Sequence, residues 1–178
     1  LILFERKKGL KHLAWLSFVI MFAATINTVF SEKISLNEGD AAPQFTLENQ
    51  DGVFEELSDY IGQRVVVYFF PMADTPGWIK EACGFRNIYS EFEKNNISVV
   101  GISYDKPKSL RSFKDKFNLP FSFLSDRNKT VARSYGANGI FVPKRMTFVI
   151  NSQGKIEKIY KKVNINTHAE NILKDLIY

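Results

Sequence analysis

Two runs constrain the fold of this chain more than anything else: RVVVYFF from Arg64 and ISVVGISY from Ile97. Each is β-branched or aromatic along most of its length, without the polar alternation of a half-exposed strand. Such strands are covered on both faces, the pattern of a parallel sheet with helices packed on it. Between them Trp78, Ala82, Phe85, Tyr89 and Phe92 recur at spacings of four, three, four and three. That spacing predicts one helix from Pro76 to Lys94 with a single apolar stripe.

The flanking segments complete the plan. EGDAAPQFTLENQDGVFEELSDY contains two short strand-like pieces around NQDG, a hairpin signal. DKPKSLRSFKDKFNLP reads as a capped amphipathic helix closed by Pro120, and RNKTVARSYG as a shorter helix. RMTFVINSQGKIEKIYKKV predicts a hairpin turning at Ser152 to Gly154, and NTHAENILKDLIY a last helix. The sum is a three-layer α/β domain, with a right-handed βαβ unit in the middle and antiparallel strands added by the hairpin.

With 178 residues, 45% of them hydrophobic and sixteen Phe, the chain has material for one domain with a real core. Its formal charge of +5 is no nucleic-acid signal. Arg6, Lys7, Lys8 and Lys11 against Glu5 give 4 − 1 = +3 in residues 1–12, leaving 20 basic against 18 acidic residues elsewhere. ERKKGLKH instead precedes LAWLSFVIMFAATI, an apolar run of signal-peptide length. Val29 and Ser31 suit a cleavage after Ser31. The expected organisation is residues 1–31 as a signal peptide and 32–178 as the domain, with a retained N-terminal membrane anchor as the alternative. Both place the domain outside the cytoplasm.

Cys83 is the only cysteine, so no intramolecular disulfide forms. A lone thiol is either buried and inert or chemically employed. His12 and His168 offer no metal-binding cluster, and no Ser-His-Asp set or phosphate-cradling glycine loop is visible. NIS and NKT match the glycosylation pattern, which matters only in a eukaryotic secretory pathway.

DTPGWIKEAC, from Asp74 to Cys83, follows the first buried strand. Thr75 suits an N-cap, Pro76 the first helical position, and Gly77 a close backbone approach. Position 78 falls in the first turn, where free N–H groups and the helix dipole favour an anion. A cysteine there would be a reactive thiolate, but the residue is Trp78.

YFFPMADTPGWIKEACGFR resembles the active-site segment of the peroxiredoxins, in particular the bacterioferritin comigratory protein and peroxiredoxin Q group. VPKRMTFVINSQGKI and HAENIL extend the likeness, which covers about Ile34 to Tyr178. The resemblance implies a thioredoxin-like fold of peroxiredoxin type, a central mixed sheet flanked by helices. It also implies a peroxidatic cysteine that attacks the O–O bond of a hydroperoxide and a second cysteine that resolves the sulfenic acid. By the same resemblance Pro71 matches the shielding proline, Thr75 the hydroxyl that orients peroxide and Arg145 the guanidinium beside the thiolate. Cys83 matches the resolving cysteine, and Trp78 occupies the peroxidatic position.

On an ideal helix Cys83 lies about 140° around and about 7.5 Å along from Trp78, away from a pocket made by Thr75 and Arg145. Arg86, three residues on, has two readings: support for a Cys83 thiolate, or a solvated or paired helix charge beside an inert thiol. Two functions follow. One is an exported thiol peroxidase using Cys83 alone, taking a hydroperoxide and a thioredoxin-like or small-thiol reductant, as a monomer and with no cofactor. The other is a non-catalytic binding or structural module with Trp78 plugging the pocket.

Overall fold

The computed structural model describes residues 35–177. The proposed signal peptide or anchor, residues 1–31, lies outside the described residues. Among the described residues no helix is long and apolar enough to cross a membrane.

The two apolar runs form the middle of a seven-stranded mixed sheet ordered β2-β1-β5-β4-β3-β6-β7. Its strands are β1 (Thr46–Asn49), β2 (Phe54–Glu56), β3 (Arg64–Phe69), β4 (Ile97–Ser103), β5 (Ser122–Ser125), β6 (Met146–Ile150) and β7 (Ile156–Tyr160). β3 pairs parallel with β4, and β4 with β5. The hairpins β1–β2 and β6–β7 extend the two edges antiparallel, as the turn signals predicted.

Alternation along β3 sends Val65, Val67 and Phe69 to one core and Val66 and Tyr68 to the other. The second core carries the larger helical layer: α1 (Pro76–Asn87), α2 (Tyr89–Lys94), α3 (Pro107–Phe117) and α5 (His168–Ile177). The first is closed by the short α4 (Thr130–Ser134) with Val131, Ala132 and Tyr135. This is the thioredoxin-like arrangement of a central sheet flanked by helices.

Three local expectations are corrected. The single helix over 76–94 is two, broken at Ile88, whose φ of −119° and ψ of 16° leave the helical region. The stripe survives the break, because Trp78, Ala82, Phe85 and Phe92 are all buried. The third helix is closed by Asn118 in the left-handed region at φ 50°, two residues before Pro120. Its start has no side-chain cap. Asp105 is used elsewhere, accepting a bond from the Ala73 N–H at 2.9 Å that pins the loop before α1.

Gly101 is the point where sheet and aromatic layer meet most closely. A Cβ there would lie 2.8 Å from Phe123 Cδ1 and 3.0 Å from Tyr68 Oη. Both rings are fully buried, so neither can step aside. Gly101→Ala is therefore expected to destabilise the fold by about 1–3 kcal/mol in urea titration. A loss below about 0.5 kcal/mol would show that the layer relaxes freely.

Candidate functional site

β3 ends at Phe69, and Phe70 to Thr75 carry the chain from the sheet to the start of α1. This loop is tied down from two sides. Asp105, just after β4, holds Ala73, and Lys116 on α3 pairs with Asp74 at 2.7 Å. Asp74 sits at φ 63°, a left-handed conformation that Asp tolerates better than most residues.

Thr75 occupies the N-cap position with extended dihedrals, and its carbonyl accepts bonds from the N–H groups of Trp78 and Ile79. Its hydroxyl does not cap the helix. It donates to the Met72 carbonyl at 3.1 Å, so the expected side-chain cap is corrected to a loop contact. Pro71 is half-buried in the same loop. Gly77 is not required for a close approach: a Cβ there would make ordinary contacts, 3.6 Å from Ile165 Cδ1 and 3.9 Å from Arg145 Nη2.

Trp78 has no exposed surface. Its indole stacks on Phe70 with centroids 3.8 Å apart and planes 6° from parallel. Tyr68, Phe113 and Phe123 close around it at 5.0, 5.6 and 6.1 Å. The side chain therefore points into the core between sheet and α3. The cost is an indole N–H without a hydrogen-bond partner, a loss of about 1–3 kcal/mol that the stacked area offsets.

Arg145, in the loop leading into β6, does reach the start of α1, as its position near Gly77 shows. Its charge is already engaged, because Nη1 donates to Glu81 Oε2. Glu81 is itself buried, and desolvation pushes its pKa up to about 7 against the opposing pull of Arg145. Its other carboxylate oxygen has no partner.

His168, at the start of α5, completes this buried polar group. Its Nε2 is 2.8 Å from Thr147 Oγ1 and 4.0 Å from Glu81 Oε1. Burial, reinforced by the Arg145 charge, brings its pKa down to about 4, so at neutral pH the ring is uncharged and forms no ion pair with Glu81. Neither Glu81 nor His168 was singled out from the sequence as part of the site. Glu81 was within reach, since it is three residues after Trp78 and four before Phe85, on the apolar stripe. The contact of His168 with Thr147 joins two distant segments, and no local pattern announces it.

Cys83 is half-buried on α1. Of the two readings of Arg86, the paired helix charge is the one observed. Its Nη1 donates to the Phe117 carbonyl at 2.8 Å and its Nη2 to Asn87 at 3.0 Å, so the guanidinium is committed to the end of α3 and to its own neighbour. Thr75, Pro71 and Arg145 are thus gathered at the start of α1, while the only thiol lies further along the helix. No group of three His, Cys, Asp or Glu side chains suited to a metal ion occurs among the described residues.

A parallel pair of buried strands, a helix entered through Thr75-Pro76-Gly77 and an arginine brought to its first turn agree with the peroxiredoxin class of thioredoxin-fold proteins that the resemblance implies. The chain belongs to the AhpC/TSA family, whose model matches residues 38–159. It is 40% identical over 151 residues to a putative peroxiredoxin bcp of Coxiella burnetii, covering 79% of this chain and 98% of that protein. Peroxiredoxin Bcp of Escherichia coli is also 40% identical, over 146 residues, with 78% and 94% covered. Among solved structures, the peroxidoxin BcpB of Mycobacterium tuberculosis superposes with a TM-score of 0.76 at 34% identity, covering 80% of this chain and 97% of that one.

The opposed shifts of Glu81 and His168 give a stability profile with a definite sign. For His168 the unfolded chain takes up a proton near its ordinary value of 6.5, whereas the folded chain resists down to about 4, so its contribution is lost as pH falls through that window. For Glu81 the unfolded carboxyl ionises from its ordinary 4.5 while the folded one keeps its proton to about 7, so stability is lost as pH rises through that window. The two slopes cancel where they overlap. His168→Gln removes one of them, so relative to this variant the wild type should lose on the order of 3 kcal/mol between pH 6.5 and 4. Denaturant titrations across that range check it, and parallel curves for the two proteins would refute the assignment.

Proposed function

We propose that this chain is a thiol peroxidase of the Bcp and peroxiredoxin Q kind, reducing hydroperoxides with electrons from a thioredoxin-like protein or a small thiol. Cys83 is its single redox centre. The observation that carries this reading is the match to peroxiredoxins at about 40% identity over nearly the whole domain.

In this reaction Cys83 Sγ, as thiolate, attacks one oxygen of the hydroperoxide. The O–O bond breaks, the other oxygen leaves with its electron pair and takes a proton to become an alcohol or water, and the sulfur becomes a sulfenic acid. An external thiolate then displaces hydroxide, which leaves as water, to give a mixed disulfide, and a second thiol releases the reduced enzyme. With no second cysteine in the chain, both reducing thiols come from the reductant.

The other reading, a non-catalytic binding or structural module, is favoured by one observation: the side chain at position 78 is a fully buried indole rather than a thiol at the first turn. Under either reading we place the protein outside the cytoplasm, with residues 1–31 as a signal peptide or a retained anchor. The support is the basic stretch ahead of an apolar run.

Peroxide consumption with a thiol reductant separates the two. Wild type is expected to turn over, Cys83→Ser to fall to background, and Trp78→Cys to gain at least tenfold through a thiolate at the helix start. Activity confined to Trp78→Cys would establish the non-catalytic module instead. Circular dichroism of each variant controls for folding, since shrinking a buried Trp costs about 3–5 kcal/mol.

A further inference from the structure

The near-balance of charge outside the N-terminal segment hides a strong segregation. Residues 127–145 contain Arg127, Lys129, Arg133, Lys144 and Arg145 and not one Asp or Glu. Arg145 is held by Glu81, but the other four form no ion pair with any described residue. The same stretch carries the two most exposed large hydrophobics of the described residues, Ile140 at 80% and Phe141 at 85%.

These features are brought together by a closed loop. The Lys144 N–H bonds the Ala137 carbonyl at 2.7 Å across its neck. Gly139 is packed so tightly inside that a Cβ would sit 2.0 Å from the Val142 carbonyl oxygen. Lys129 Nζ donates to the Ile140 carbonyl at 2.6 Å and lies 5.2 Å from the centre of the Tyr104 ring, whose hydroxyl accepts from the Gly139 N–H at 3.4 Å. Arg133, on α4, follows four residues later, its N–H bonded to the Lys129 carbonyl at 3.1 Å. The fold thus holds two adjacent apolar side chains out into solvent, with Lys129 against the loop and Arg127, Arg133 and Lys144 in the segments that enter and leave it.

We propose that this loop is a docking element for an anionic lipid surface, with Ile140 and Phe141 entering the headgroup–acyl boundary and Arg127, Lys129, Arg133 and Lys144 meeting acidic headgroups. Apolar tips with a cationic surround are what interfacial binding requires. A second copy of this chain fits less well. A two-fold contact sets the same patch against itself, which brings like charges together, and a projecting tip supplies little of the roughly 1,000 Å² that a stable interface needs. A nucleic acid would use the cations and the Phe ring, but it leaves the exposed aliphatic Ile140 without a role.

The test uses residues 34–178, so that the apolar run at the N-terminus does not contribute. This piece contains both hydrophobic cores, and the Coxiella relative is matched over 98% of its length by 79% of this chain. Vesicles of equal phosphatidylglycerol and phosphatidylcholine should sediment the domain, while pure phosphatidylcholine should not. Raising salt to about 0.5 M should release it. Ile140→Ser with Phe141→Ser, and separately Arg133→Glu with Lys144→Glu, should each weaken binding at least tenfold with an unchanged circular dichroism spectrum.

The proposal is overturned by absent binding, by equal binding to both vesicles, or by binding indifferent to either pair of changes. It is likewise overturned if ultracentrifugation shows a dimer that Phe141→Ser dissolves, or if a single-stranded oligonucleotide is bound and the anionic vesicles are not.

Discussion

The indole of Trp78 lying flat on Phe70, 3.8 Å between centroids, is the contact on which the rest of the site turns. It sets the rotation of α1 about its own axis. With residue 78 against the sheet, Ala82 and Phe85 follow it inward, and so does Glu81, the one acid on that face. Cys83, about 140° away around the helix, is left at the edge of the packed layer. The place of the only thiol is therefore a consequence of where the tryptophan is buried.

The same rotation decides the electrostatics. Glu81 is carried into a region where a lone carboxylate would be very costly, and Arg145 arrives from the loop leading into β6, the strand paired with β3, to meet it. The contact occupies the guanidinium that would otherwise be offered to an anion at the helix start. His168 stays neutral beside it through burial and its contact with Thr147, so α5 joins the sheet without adding charge. In place of an open anion site, the first turn of α1 is backed by the aromatic stack around Trp78 and by the Arg145–Glu81 contact.

Much of the architecture was readable before any coordinates. The two apolar runs became the parallel pair β3 and β4, and NQDG and Ser152 to Gly154 became the hairpins, because periodicity and turn chemistry act over a few residues. Where local signals competed, they misled. The apolar stripe ran unbroken through Ile88, yet the backbone breaks there, because a stripe records which face is buried and not whether the axis bends. Thr75 had the composition of a cap, but its hydroxyl found the Met72 carbonyl within the loop first. Arg86 sat at the right spacing to assist Cys83, yet the open carbonyls at the end of α3 claimed it.

The amino-acid sequence by itself determined the βα order, the family resemblance, the presence of a tryptophan at position 78 and the limit of one thiol. Each is written in residue identity and short-range spacing. Tertiary structure alone decided that Trp78 is core, that Arg145 is spent on Glu81, that His168 is buried and neutral, and that Ile140 and Phe141 stand out among unpaired cations. Those outcomes depend on which distant segments share a neighbourhood, and desolvation and pairing act on that neighbourhood rather than on sequence distance.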